Sequence, residues 1–220
     1  QCRWYKKIDP KCTYIVSLDP SLGTGGDASA IQVFELPGLK QVAEWKDNKT
    51  PIQRQIRIVQ ELCQYISDSV GTQNNVYYSV ENNTIGEAAL ISIAEYGEEN
   101  IQGYFLSDNT VVSSGGRRFR KGFNTTNKAK LSACNKFKVL IESGRMTVNS
   151  APLVSELKTF VAHGTSYAAK PGETDDLVMA SLLAVRMMQL LQSYHTELDN
   201  QLRDHGDVQI DPLPFIAMIG

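Results

Sequence analysis

The chain has 220 residues, 42% of them hydrophobic and 21% charged, with a formal net charge of −2. That is enough apolar material for one domain with a sizeable core, which excludes an intrinsically disordered chain, and no apolar run reaches the length of a membrane span. A near-neutral total neither favours nor excludes nucleic acid, because binding follows local patches of charge. There is no initiator methionine and no signal-peptide pattern, so Gln1 reads as the edge of a longer protein with further domains. Cys2, Cys12, Cys63 and Cys134 lack CxxC spacing and read as thiols of a reducing compartment rather than a zinc site.

Residues 13–19 form a nearly continuous apolar run (Tyr14, Ile15, Val16, Leu18), predicting a buried strand. The glycine-rich turn SLGTGGD follows, then strands over 30–36 and 41–45 separated by Pro37-Gly38, an opening meander. Thr50 is expected to cap a helix with Pro51 at its first position. Ile52, Ile56, Val59, Leu62, Cys63 and Ile66 recur at helical spacing and define its buried face. A strand over 76–81, a helix over 85–96 and a short strand over 102–106 come next.

The stretch 107–127 is polar and glycine-containing. A helix over 127–142 is predicted to end at Gly144, where glycine suits a left-handed cap. Residues 146–148 read as strand, Ser150 and Pro152 open a short helix to about 160, and 161–169 suits a hairpin limb. The last strong element is a helix over 174–193. These elements imply an α/β fold with a mixed sheet flanked by helices. The expected division is a domain over 1–195 and a C-terminal tail over 196–220, whose closing PLPFIAMIG suits a docking segment.

Three acidic signatures lie at the ends of these elements: Asp19 in SLDPSLG, Glu81 in VYYSVEN, and Asp175/Asp176 in TDDLVMA. An acid at a strand end is ordinary turn chemistry, and paired acids at a helix start complement its macrodipole. Glu81 is harder to explain so, because an unpaired carboxylate in an apolar strand is costly. Carboxylates converging from distant elements suit a site for two hard divalent cations, Mg²⁺ or Mn²⁺, of the kind that activates water and stabilises a leaving oxygen. Asp19 and Glu81 meet if their strands pair, with Asp19 placed to bridge both ions. Asp176 shares a helix face with Ala180, Leu183 and Met187 and is expected to face the sheet. Asp175 shares a face with Met179, Leu182 and Arg186, where the arginine suggests solvent, so Asp176 is the preferred third ligand with Asp175 as neighbour or substitute. Asp27 reads as a turn residue.

Arg117, Arg118, Arg120 and Lys121, interleaved with Phe119 and Phe123 and followed by Lys128, form the densest basic cluster. It suits phosphate contacts without base preference, as it would suit a solvated charge run with the phenylalanines anchoring it to the core.

At these motifs the chain resembles the C-terminal nuclease domain of the large terminase subunit of tailed bacteriophages. The likeness runs from Tyr14 to Leu191 and is carried by SLDPSLGTGGD, VENN with the following helix, the lysine-rich central helix and TDDLVMA. It implies a ribonuclease-H-like fold and a metal-dependent endonuclease that cuts concatemeric double-stranded DNA during packaging in the host cytoplasm. It also implies metal ligands at Asp19, Glu81 and Asp176, and partners in an ATPase domain of the same full-length chain, the portal and the small terminase subunit. Some relatives carry a further acid where this chain has Leu22, and no GxxxxGK[ST] phosphate loop is present. The competing readings are a junction resolvase or other ribonuclease-H-like nuclease, an actin-like ATPase or kinase, and a non-catalytic docking domain.

Overall fold

The computed structural model describes residues 1–108 and 121–194. Within them the elements run β1 (Arg3–Trp4), β2 (Thr13–Asp19), β3 (Ser29–Leu36), β4 (Lys40–Asp47), α1 (Ile52–Val70), β5 (Val76–Val80), α2 (Thr84–Tyr96), β6 (Tyr104–Phe105), α3 (Asn127–Glu142), α4 (Ala151–Thr159), β7 (Phe160–His163), β8 (Ser166–Ala169) and α5 (Asp176–Tyr194). Six strands make one sheet in the order β1-β4-β3-β2-β5-β6, and β7 and β8 form a separate hairpin. The pairings from β1 through β4 and β3 to β2 are antiparallel, whereas β2 with β5 and β5 with β6 are parallel.

Alternation along β2 divides the core. Tyr14, Val16 and Leu18 pack with Ile56, Val59, Cys63 and Ile66 of α1 and Ala89 and Ile93 of α2. Ile15 points to the opposite face, into a core built from Phe137 and Leu140 of α3, Leu153 of α4, and Leu177, Ala180, Leu183 and Met187 of α5. Period-two strands between two sets of helices thus give a three-layer α/β/α body.

The expected elements are present, with three local differences. Pro51 is extended (φ −67°, ψ 154°) and stands in the N-cap position, so α1 starts at Ile52, one residue later than the proline suggests. Thr50 does not cap: its Oγ1 donates to Asp47 Oδ2 at 2.6 Å, while Gln55 Nε2 ties Thr50 O and Ser21 O at 2.7 and 2.8 Å. That clamp presses the glycine turn on α1, and a Cβ at Gly23 (φ +70°) would sit 2.2 Å from Thr50 O, which demands glycine. Residues 146–148 form a single bridge, Thr147 with Lys40, rather than a strand. The cause is Gln41, whose Oε1 accepts from both Asn149 N and Ser150 N at 2.8 Å and turns the chain into α4.

Candidate metal centre

Asp19, the last residue of β2, lies opposite Ala30 of β3, which lies opposite Lys46 of β4. On the other side, Leu18 is in register with Val80 of β5, and Glu81 N donates to Leu18 O at 2.9 Å, bringing Glu81 beside Asp19. One row across four strands therefore reads Glu81, Asp19, Ala30, Lys46. Neighbours in a row share a sheet face, here the face that carries α5.

α5 crosses this row with its first turn. Ser17 Oγ donates to Ala180 O at 2.8 Å, fixing the helix over β2. Asp176 stands four residues before Ala180, about 6 Å along a helix, and Asp19 two residues beyond Ser17, about 7 Å along a strand. The two steps match, so the start of α5 overlies the row. Asp176 shares a helix face with the buried Ala180, Leu183 and Met187, and its side chain is 12% exposed.

Glu81 is held as firmly. It is 6% exposed, and Asn83 Oδ1 accepts from Ile85 N and Gly86 N at 3.0 and 2.8 Å, starting α2 directly behind it. A Cβ on Gly86 would lie 1.9 Å from Glu81 O, so glycine lets the helix approach the strand end. Phe123, buried in the core, bridges Glu81 in parallel: Phe123 N donates to Val80 O at 3.1 Å and Asn82 N to Phe123 O at 2.8 Å.

Asp19 is half-buried as a residue. Burial, then the charge and hydrogen bond of Glu81, then Asp176 and Asp175, push its pKa well above the usual carboxylate range. With Glu81 and Asp176 this close, ionising Asp19 is disfavoured, as it is for one of two adjoining carboxylates.

Asp176 has a different neighbour. Lys46 Nζ is 2.8 Å from Asp176 Oδ2, although that buried oxygen has no aligned hydrogen-bond donor. The aligned bonds of Lys46 go to Glu156 Oε1 at 2.6 Å and Thr174 Oγ1 at 2.8 Å. Burial alone lowers the pKa of Lys46, but Asp176 and Glu156 outweigh it and the net shift is upward. Glu156 also accepts from Val178 N at 3.1 Å, in the first turn of α5. Neither Lys46 nor Glu156 stands out in the sequence. Their one shared signal is a charged residue at a core-facing strand or helix position.

Asp175 O accepts from Met179 N at 2.8 Å, and its Oδ2 accepts from Ala169 N at 3.3 Å and lies 4.0 Å from Lys130 Nζ. Its face does not look to solvent as Arg186 suggests. Arg186 turns inward over the Phe123 ring at 5.0 Å, pairs with Asp108 Oδ2 at 2.7 Å and reaches Asn124 O at 3.1 Å. An arginine can lie on a core face when it brings its own acid and aromatic partner. Asp27 is exposed in its turn.

Among the described residues no three carboxylate, imidazole or thiolate side chains are gathered into a ready-made metal cage. The donor set nevertheless fits hard divalent cations: all oxygen, an Asp19 crowded by Glu81 so that its ionisation is disfavoured, and a buried Asp176 oxygen without an aligned donor.

Of the basic cluster, Arg117, Arg118 and Arg120 lie outside the described residues. Lys121 is exposed and paired with Glu98, and Lys128 is exposed in the first turn of α3. The two ends of segment 109–120 are joined, since Asp108 N donates to Gly122 O at 3.0 Å. Gly122 (φ +78°) is required there, because a Cβ would approach Val80 O to 2.7 Å. The segment is thus rooted beside Glu81.

A mixed sheet carrying acids at adjacent strand ends beneath a helix N-terminus is the ribonuclease-H-like arrangement, and solved structures agree. The large terminase nuclease from thermophilic phage G20c, solved with bound cobalt, aligns with a TM-score of 0.62 at 17% identity, covering 84% of this chain and 86% of that one. The large terminase nuclease domain of Thermus phage P74-26 aligns at 0.59 and 18% identity, covering 83% of each chain. The human cytomegalovirus terminase nuclease domain, manganese-soaked, aligns at 0.53 and 12%, covering 83% of this chain and 87% of that one. Residues 16–188 match the family model of the terminase RNaseH-like domain, and the chain belongs to that family.

Proposed function

We propose that this domain is a Mg²⁺- or Mn²⁺-dependent endodeoxyribonuclease that cuts concatemeric double-stranded viral DNA at the start and end of packaging. Asp19, Glu81 and Asp176 are its metal ligands and catalytic carboxylates. One observation carries the reading: in a terminase-family fold, Glu81 and Asp19 adjoin on neighbouring strand ends beneath the start of α5, where crowded carboxylates favour a bound cation. Relatives of the same fold were solved with magnesium, cobalt or zinc, or soaked in manganese, which supports a divalent ion here.

Two bound divalent ions would supply charge for the phosphate oxygens and a more acidic water. Asp19, between Glu81 and the start of α5, would help to hold the ions, whose positive charge would favour its ionised form. Glu81, fixed by its backbone bond to Leu18 and by Gly86 behind it, presents its carboxylate without rearrangement. Asp176 closes the set from α5. Arg117, Arg118, Arg120 and Lys121, with Lys128 in the first turn of α3, supply phosphate contacts next in sequence to Gly122 and Phe123, which adjoin the Glu81 strand end. Such contacts position a duplex without reading its sequence. Among the described residues no helix is long and apolar enough to cross a membrane. The setting we infer is the host cytoplasm, within a full-length chain that carries an ATPase domain and works with the portal and small terminase subunit.

The test is plasmid nicking in Mg²⁺ and Mn²⁺ with EDTA controls, on linear duplex, four-way junction and RNA–DNA hybrid in parallel. Metal-dependent cutting of duplex DNA is expected. Preference for junctions or hybrids would move the domain to another nuclease of the same fold, and no cutting of any substrate would remove the catalytic reading.

A further inference from the structure

Lys46 occupies a position that the nuclease reading leaves unexplained. It shares a row with Asp19, separated from it by Ala30 alone. Two strand spacings put their Cα atoms roughly 10 Å apart, and the start of α5 lies above the gap. The ammonium is 2.6 Å from Glu156 Oε1, 2.8 Å from Thr174 Oγ1 and 2.8 Å from Asp176 Oδ2. Glu156 is itself buried and anchored to Val178 N of α5. A surface lysine would swing away from an arriving cation, whereas this one is tied to two groups that are not metal-ligand candidates.

We infer that Lys46 is a resident counter-ion of Asp176 which weakens divalent-cation binding at the α5 side of the row, so that the Asp19–Glu81 side fills first. This rests on the metal-site reading above. The opposite role, in which Lys46 merely orients Asp176 for metal, predicts the opposite sign on its removal. The two are separable because a positive charge beside a ligand opposes a second cation, by an amount that grows as water is excluded. Partial burial also limits screening by salt, so the effect should persist at moderate ionic strength.

The experiment is calorimetric titration of the folded domain with Mn²⁺ alone, checked by the decline of the free-ion Mn²⁺ resonance, for wild type, Lys46→Met, Lys46→Gln and Lys46→Arg. Gln keeps a hydrogen-bond donor for Glu156 and Thr174, so it covers the case in which Met fails to fold. Expected is Mn²⁺ binding about tenfold tighter, or one further equivalent bound, in the two neutral variants, with Lys46→Arg close to wild type. Unchanged or weaker binding in the neutral variants, with wild type still binding, overturns the inference and leaves the metal site standing. Absence of binding in wild type and all variants removes the metal site itself, and this role with it.

Discussion

At the β5 end of the row, Glu81 and Asp19 adjoin, and their crowding disfavours ionising Asp19. At the β4 end, Asp176 faces an ammonium that Glu156 and Thr174 hold in place. The β4 end offsets the cost of a carboxylate out of water with a tethered lysine, whereas at the β5 end that cost shows as the raised pKa of Asp19. A cation arriving at Asp19 would relieve this crowding, but one arriving at Asp176 would compete with a side chain bonded at two further points. Asp19 in the row and Asp176 above it thus differ in their neighbours, and on the proposed reading in how easily each would accept a metal.

The largest expected effect is on cleavage. Asp19→Asn or Glu81→Gln should lower metal-dependent nicking by about a thousandfold or more, as should Asp176→Asn. Circular dichroism in parallel verifies folding, and a wild-type nicking rate in any of the three removes that residue from the site. Next comes the clamp at the β4 end. Glu156→Ala removes the acceptor of Val178 N and one of the two carboxylates around Lys46, and urea unfolding should show a drop in stability of about 3 kcal/mol. A drop below about 0.5 kcal/mol would mean that the pair behaves as a solvated surface ion pair.

A smaller effect is expected on DNA affinity. Reversing Arg117, Arg118, Arg120 and Lys121 should weaken binding and flatten its dependence on log salt by about 0.9 for each phosphate no longer neutralised. An unchanged slope would return those residues to bare solvent. The smallest effect tests the crowding of Asp19. The raised pKa of Asp19 contributes stability that is fully present below the unfolded value near ~4 and is lost as pH rises through the folded value. In EDTA, Asp19→Asn should therefore raise the melting temperature at pH 8 by about 2–4 °C, with little change at pH 4. Asn can still donate to Glu81 and carries no charge to lose. A lower melting temperature at pH 8 would contradict a raised pKa at Asp19.

Much of this architecture is legible in the chain because it follows from period. The alternation in TYIVSLD, the spacing of Ile56, Val59, Cys63 and Ile66, and the stripe of Asp176, Ala180, Leu183 and Met187 each specify a face, and the faces meet as expected. Contacts between distant charges are not legible in this way. Lys46 and Glu156 are 110 residues apart, and each reads as a solvated side chain until the fold joins them. Arg186 misleads for the same reason: its guanidinium looks like a solvent marker, yet Asp108 and Phe123 receive it inside. Thr50 and Pro51 are misplaced by one residue because a side-chain bond to Asp47 competes with the cap.

The hydrogen bond from Asp108 to Gly122 and the bridge from Phe123 to Glu81 make a closed stem at the edge of β5. Chain that departs and returns through one stem can be lengthened, shortened or exchanged without moving the sheet beneath it. Exchange of residues 109–120 is therefore expected to leave Glu81 and its neighbours in the sheet where they are.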